Sequence, residues 1–224
     1  MFFILTYFLG ASIGSFFGLV ETRLAHHQSI VLPRSHCDYC GHSLNVVDLI
    51  PTVSYLIFRR KCRYCRRHYD SWSFQVELFL GIAFLQLSLN FSWQVLLIDL
   101  VLSYCYLSDL REQKILTFLP VGLSLVLLPA QFSFVPEALF LVALVTIVSI
   151  VTQGMGAGDL ILLFPLSLVL GIRSVSLLLL IACSLIILVY LIGSRPRRIP
   201  FVPYLAWAFI ITKFFQLSKL EMLL

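Results

Sequence analysis

The sequence predicts an all-α, polytopic membrane protein with about eight transmembrane helices and a small cysteine-bearing loop domain between helices 1 and 2. Of the 224 residues, 60% are hydrophobic and 12% are charged, whereas soluble domains average about 45–50% apolar and about 25% charged residues. The charged residues cluster in short loops between long apolar runs, and two C-x-x-C pairs fall in the most polar segment. So much apolar surface excludes a water-soluble fold of this size.

The first apolar run covers residues 2–20. No basic residue precedes it and no A-x-A site ends it, so we expect an uncleaved first span rather than a signal peptide. Gly10, Gly14 and Gly18 recur at four-residue spacing, which predicts that another helix approaches this face closely. A polar segment follows over residues 21–73.

Seven further apolar runs form the expected transmembrane core over residues 74–224. They cover 74–91, 93–110, 115–131, 137–153, 159–171, 173–193 and 201–217. Several are shorter than the roughly 20 residues that a bilayer core of about 30 Å requires. Their ends must therefore extend into the flanking residues, or the bilayer must thin around them.

The basic residues predict the topology. If the polar segment faces the cytoplasm, thirteen of the sixteen lysines and arginines lie in loops on that side, as the positive-inside rule requires. Both termini are then outside. Because the net charge of +5 arises from these short loops, we interpret it as a topology signal and exclude nucleic-acid binding.

Four cysteines in the polar segment predict a metal centre. Cys37 and Cys40 form one C-x-x-C pair, and Cys62 and Cys65 form the second, 21 residues later. Four thiolates can close a tetrahedral structural Zn²⁺ site, and Lys61 and its neighbouring arginines should lower the pKa of the thiols. The alternatives are two disulfides or free thiols, and a reducing cytoplasm argues against disulfides.

Two aspartates at membrane edges predict acid–base chemistry. Asp109 ends the third span and Asp159 begins the sixth, both on the predicted cytoplasmic side. Ionisable residues at such positions are costly and usually functional. Two adjacent carboxylates can share a proton, so that one activates water and the other polarises a peptide carbonyl. Alternatively, Asp109 only precedes a basic loop and Asp159 caps a helix.

Other features of the apolar segments bear on this hypothesis. Residues 154–159 read GMGAGD, and such exposed backbone suits an extended peptide substrate or a tight turn between helices. Glu77 opens the second span, and Asp99 lies within the third. Each could pair with a basic residue or line a water-filled cavity, and both rank below Asp109 and Asp159 as catalytic groups.

Motifs along nearly the whole chain carry a family resemblance. They are Gly14-Ser15-Phe16, Arg34-Ser35-His36-Cys37, Cys40-Gly41-His42, Leu49-Ile50-Pro51, Ser54-Tyr55, Lys61-Cys62-Arg63-Tyr64-Cys65, Glu77, the 154–159 stretch and Pro200-Phe201-Val202-Pro203-Tyr204. In this order they resemble the type IV prepilin peptidases, bifunctional leader peptidase/N-methyltransferases of the GxGD class of intramembrane aspartic proteases.

The resemblance implies that Asp109 and Asp159 are the catalytic residues of an enzyme in the cell membrane. Its substrates would be prepilins or pseudopilins with a short basic leader, cut on the cytoplasmic side after a glycine and before a hydrophobic helix. It also implies S-adenosylmethionine-dependent methylation of the new amino terminus, and a zinc-bearing loop domain that holds Cys37, Cys40, Cys62 and Cys65.

The chain departs from the family pattern at two places. Ile161 stands where a lysine is usual, and a proline often found near Ile115 is absent. The short chain suggests a Gram-positive version that processes competence-type pseudopilins.

Two other functions are consistent with the residues. A thiol-redox protein would work through the C-x-x-C pairs and would lose activity on Cys→Ser changes. A proton-coupled transporter would use Asp99, Asp109 and Asp159 as a relay, and would show flux without proteolysis.

Overall fold

The computed structural model describes residues 1–32, 34–152, 156–192 and 199–221. These residues form helices and loops, and the part of the chain described contains no strand beyond two isolated bridges. The chain divides into two compact units, Met1–Leu89 and Asn90–Leu224. The all-helical prediction is confirmed.

The first unit is built on two packed helices, α1 (Phe2–Ala25) and α3 (Trp72–Leu89), with the short helix α2 (Val53–Ile57) in the polar segment between them. A Cβ on Gly14 would lie 2.8 Å from the Val76 carbonyl oxygen. One on Gly10 would collide with the Leu80 carbonyl, and one on Gly18 would lie 3.0 Å from the Ser73 hydroxyl. The glycine stripe therefore lies against an antiparallel α3, which confirms its predicted packing role.

The described residues of the second unit form five α-helices: α4 (Trp93–Glu112), α5 (Phe118–Leu127), α6 (Val135–Thr152), α7 (Ala157–Ile192) and α8 (Val202–Glu221). Helix α7 packs against α5, α6 and α8, and α8 also packs along α4. This arrangement brings the ends of α4, α7 and α8 into one compact unit, although they are distant in sequence.

Helix α7 bends at Gly171, where the sequence predicts the boundary between two spans. Its backbone angles there are φ 74° and ψ 164°, a region that is essentially restricted to glycine. The bend divides the 36-residue helix into segments at 157–170 and 172–192.

Within the described ranges, five helices are long and apolar enough to cross a membrane, and α5 is a shorter apolar helix. Large apolar side chains on α6 are exposed, including Phe140, Ile147 and Val151 at 63%, 61% and 79%. In a lipid environment such a surface needs no further cover. The chain is a membrane protein. The exact number of spans and the division at residues 20 and 73 remain predictions.

Candidate active site and metal centre

Asp109 lies in the last turn of α4 and contacts the first residue of α8. Helix α4 ends because Gln113 adopts the left-handed conformation, with φ 53° and ψ 35°. The Asp109 side chain is 7% exposed, and its Oδ2 accepts a hydrogen bond of 2.9 Å from the Val202 N–H. That N–H is one of the donors that a helix leaves unpaired at its start, and the helix dipole favours a carboxylate there.

Asp159 is the third residue of α7, and its carboxylate accepts a hydrogen bond from the Gly156 N–H. The side chain is half-buried. Asp159 thus supports the start of α7 from the third helical position, and is not the N-cap residue that the alternative expected. The contact leaves the second carboxylate oxygen available for other partners. Residues 154 and 155 of the predicted glycine stretch lie outside the described residues.

Gly158 permits the start of α7 to approach the segment that follows α4. A Cβ at Gly158 would lie 2.9 Å from Cβ of Ile115 and 3.2 Å from its Cδ1. Because Ile115 is branched at Cβ, it cannot move aside by rotation of a flexible end. A side chain at position 158 would therefore push the helix that carries Asp159 away from the end of α4.

The two aspartates are close enough for their charges to interact. Cys105, one turn before Asp109 on α4, is fully buried and near both carboxylates. The structure thus brings together the two predicted acids, and adds Cys105 and the Val202 amide, which the sequence argument did not identify as site groups. The 200–204 motif was the available signal for Val202.

Asp99 lies apart from this pair, further along α4. It is 2% exposed, and the charged group that acts on it is Lys213 of α8. Its Oδ1 has no hydrogen-bond partner in the part of the chain described. The charge of Lys213 therefore acts on Asp99, but no ion pair within 4.0 Å joins the two side chains in the part of the chain described.

Glu77 ties the polar segment to α3 within the first unit. Its Oε2 accepts a hydrogen bond of 2.7 Å from the Thr52 N–H, and the Ser73 hydroxyl lies 3.4 Å from Oε1. Thr52 has a positive φ of 60°, a costly conformation for a β-branched residue. The buried carboxylate compensates for that cost by satisfying the backbone donor.

The four predicted metal ligands form one cluster. The Sγ atoms of Cys37, Cys40, Cys62 and Cys65 all lie within 4.8 Å of one another, and the Cys37–Cys65 separation is 3.9 Å. A tetrahedral Zn²⁺ with Zn–S bonds of about 2.3 Å places its sulfurs about 3.8 Å apart. The donor set and its spacing therefore fit a closed four-thiolate site.

The two C-x-x-C turns share one backbone pattern. In the first, the Gly41 N–H donates to the Cys37 carbonyl at 2.8 Å, and in the second the Arg66 N–H donates to the Cys62 carbonyl at 2.9 Å. Gly41 and Arg66 both have positive φ, 69° and 58°. Each turn thus directs its thiols and amides inward.

Backbone amides, rather than the basic neighbours, account for the acidity of the thiol at Cys62. The Cys65 N–H lowers the pKa of Cys62 to about 7, whereas burial raises the pKa of Cys37 to about 11. The expectation that Lys61 and the arginines would lower the pKa of the thiols is not supported, because no such residue contributes to the shift. A thiolate stabilised by amides is the form that binds metal.

Comparisons with known proteins match both units. Residues 8–91 match the bacterial peptidase A24 N-terminal domain, and residues 96–192 match the type IV leader peptidase family. No solved structure matches.

Three similar proteins are each named prepilin leader peptidase/N-methyltransferase. The one from Pseudomonas aeruginosa is 30% identical over 205 residues, covering 80% of this chain and 71% of the relative. The Bacillus subtilis protein is 26% identical, covering 75% and 73%. The Myxococcus xanthus protein is 38% identical over 42% of this chain, but the match spans 28% of that relative. This chain therefore belongs to the type IV leader peptidase, or prepilin peptidase, family.

Proposed function

We propose that the chain is a membrane aspartic endopeptidase that removes the leader peptide of type IV prepilin-like proteins, with Asp109 and Asp159 as its catalytic residues. The observation that carries the proposal is that these two carboxylates, in the last turn of α4 and at the start of α7, lie close enough for their charges to interact. Family membership and the names of the relatives support the same reaction.

The two carboxyl groups have different roles in peptide hydrolysis: one acts as a base and the other as an acid. One, ionised, removes a proton from water as the water oxygen bonds to the scissile carbonyl carbon. The other, protonated, donates a hydrogen bond to the carbonyl oxygen. As the tetrahedral intermediate collapses, the C–N bond breaks and the leaving nitrogen takes a proton from a carboxylic acid. Two adjacent carboxyl groups suit this because they hold one proton between them.

The substrate enters as an extended peptide. A leader with basic residues, cut after a glycine and before a hydrophobic helix, would place its helix in the bilayer and its charges in the cytoplasm. The distribution of lysines and arginines supports an active site on the cytoplasmic side of the cell membrane.

The cysteine cluster holds a structural Zn²⁺ in this proposal. A closed four-thiolate site leaves no open position for substrate, so the ion stabilises a polar segment that has little apolar core of its own. We expect about one zinc per purified chain by elemental analysis, and loss of it in Cys62→Ser. A metal-free chain with intact thiols would contradict this assignment.

Methylation of the new amino terminus is the second proposed activity, and it requires S-adenosylmethionine as the methyl donor. The relatives named as N-methyltransferases support it. Nothing in the described residues favours the thiol-redox or transporter alternatives.

The test is cleavage of a co-expressed prepilin-like substrate by the wild type, Asp109→Asn and Asp159→Asn, followed as a mobility shift. Each substitution should lower cleavage at least about 100-fold, the smaller end of the range for general acid–base groups. Glu112→Gln, an exposed acid at the end of the same helix α4, is the matched control. Cleavage that persists in either aspartate variant at normal membrane levels would refute the dyad.

A further inference from the structure

The polar segment of the first unit contains a structural repeat built on its two C-x-x-C turns. The Cys37 N–H donates a hydrogen bond to the His42 carbonyl at 3.0 Å, and in the second turn the Cys62 N–H donates to the Arg67 carbonyl at 2.9 Å. An isolated β-bridge closes each turn at equivalent positions. The two turns have the same backbone, so the differences between their side chains are not required by the turn itself.

The second turn is strongly basic, whereas the first is not. Arg63 and Arg66 stand at the positions that Asp38 and Gly41 occupy in the first turn. Arg66 has a φ of 58°, which glycine adopts readily and other residues adopt at a cost. The first turn holds its two thiols without such arginines, so the metal site does not require them. Six exposed basic side chains lie between positions 59 and 67: Arg59, Arg60, Lys61, Arg63, Arg66 and Arg67.

Two of these arginines are held in place by aromatic rings. The guanidinium carbon of Arg63 lies 5.9 Å from the centroid of the Phe58 ring, and that of Arg67 lies 5.3 Å from the centroid of the Tyr39 ring. Stacking uses the face of a guanidinium group and leaves its N–H groups at the edge to donate to anionic oxygens. Side chains ordered in this way lose less conformational freedom when they bind a ligand.

Helix α2, which precedes the basic residues, is attached to the start of helix α3. Tyr55 stacks on Phe74 with ring centroids 4.0 Å apart, and the Thr52 N–H donates to Oε2 of Glu77 at 2.7 Å. Helix α3 has 18 residues, which makes it about 27 Å long, slightly shorter than a bilayer core of about 30 Å. Its first two turns, and α2 with them, therefore lie at the edge of the membrane.

The exposed side of α2 carries large apolar groups. Leu56 and Ile57 are 65% and 62% exposed, and the run of basic residues begins at Arg59. Apolar side chains beside cations at a membrane edge are typical of an interfacial anchor, in which the apolar groups enter the acyl boundary and the cations stay among the headgroups. A basic loop that only fixes the topology needs no such apolar neighbours.

We propose that α2 and the second C-x-x-C turn form a docking surface for the anionic phospholipid headgroups of the leaflet beside them. Guanidinium groups bind phosphate oxygens through paired, charge-assisted hydrogen bonds, and clustered cations next to a span are attracted to a negatively charged leaflet. The basic leader of a prepilin is not the occupant, because like charges repel one another at short range. The surface would hold the cysteine cluster against the membrane.

The experiment is photo-crosslinking of the full-length, zinc-loaded protein in nanodiscs that contain phosphatidylcholine and anionic phosphatidylglycerol in equal amounts. Ile57→p-benzoylphenylalanine places the photoreactive group on α2, and intact-mass spectrometry identifies each adduct by its added mass. We expect lipid adducts in which phosphatidylglycerol exceeds phosphatidylcholine at least about threefold. The neutralised variant Arg59→Gln/Lys61→Gln/Arg63→Gln, with the same probe, should give the two lipids in equal amounts.

Two controls separate charge and position from general lipid labelling. Arg59→Lys/Lys61→Arg/Arg63→Lys retains the charge and should retain the enrichment. Tyr39→p-benzoylphenylalanine, at a similarly exposed position of the first turn (57%), should give far fewer lipid adducts. Zinc content, measured for every variant before irradiation, checks that the segment remains folded.

The adducts at position 57 decide the outcome. Adducts with protein only, the absence of adducts, or equal amounts of the two lipids in the chain with its native arginines would each overturn the proposal. Equal lipid labelling from positions 39 and 57 would also overturn it, because the docking surface would then not be confined to α2 and the second turn. Since prepilin cleavage is not measured, each of these results leaves the peptidase assignment intact.

Discussion

A backbone amide and a glycine determine how closely the helix ends approach one another at the active site. The backbone N–H of Val202 contacts Asp109, and Gly158 is the residue that allows α7 to begin beside Ile115. Neither contributes a reactive group, yet both fix where a carboxylate lies. The positions of the two carboxylates therefore depend on a backbone amide at Val202 and on the missing side chain at Gly158.

We therefore expect Gly158→Ala to reduce cleavage strongly. The new methyl group would overlap Ile115, and overpacking of this kind costs about 1–3 kcal/mol. Ile115→Gly in the same chain should restore much of the activity, because it removes the Cβ at 2.9 Å together with the atoms beyond it. The control is Gly122→Ala, because no atom lies within 4 Å of a Cβ at that position. Prepilin cleavage at equal membrane levels distinguishes these variants, and failure of the double variant to recover would argue against steric displacement as the cause.

At the scale of elements, helices α4 and α8 run antiparallel and interact at three levels, two through hydrogen bonds and one through charge. Asp109 meets Val202 at one end, and the Trp207 Nε1–H lies 3.4 Å from the Tyr106 hydroxyl in the next turn. Further along, Asp99 faces the charge of Lys213. The three interactions follow a single register, so a shift of α8 along α4 would disturb all of them together.

The charge interaction between Asp99 and Lys213 should help to position α8 against α4. Asp99→Asn or Lys213→Met alone would remove the opposite charge that acts on the other group in an apolar interior, and an uncompensated buried charge is destabilising. We expect each single variant to melt at a lower temperature and to cleave more slowly. The double variant Asp99→Asn/Lys213→Met should recover both properties, because it leaves no charge to satisfy. A double variant as impaired as the single ones would show that the charges act independently.

Features that depend on short sequence motifs could be predicted, whereas contacts between residues far apart in the sequence could not. The cysteine cluster follows from two short motifs, and the Gly10–Gly14–Gly18 stripe follows from spacing on one helix. The Val202–Asp109 contact joins residues 93 positions apart, and no periodicity reports such a pairing. Arg66 has a positive φ that its residue type does not predict. The equivalent position of the first turn is Gly41, and glycine adopts a positive φ readily.

At the scale of the whole molecule, the second unit places its active-site residues at one end of the helices that carry them. Asp109 ends α4, Asp159 begins α7 and Val202 begins α8, so these three helix ends share one side of that unit. Two basic residues lie at this end of α4: Arg111 in its last turn and Lys114 just after it. Under the positive-inside rule, this side faces the cytoplasm.

Labelling of engineered cysteines with a membrane-impermeant maleimide in intact cells tests this topology. Phe132→Cys, in an exposed turn between α5 and α6 (75% exposed), should react from outside. Glu112→Cys, exposed beside the active-site end of α4, should react only after the membrane is permeabilised. The unmodified chain, with its native thiols, gives the background, and detergent-treated cells give the maximum for each position. Labelling of Glu112→Cys from outside would place the two aspartates on the wrong side for a leader peptide that remains in the cytoplasm. The basic residues beside α4 would then also lie outside, contrary to the positive-inside rule. The same result would contradict the proposal that the substrate is a leader peptide in the cytoplasm.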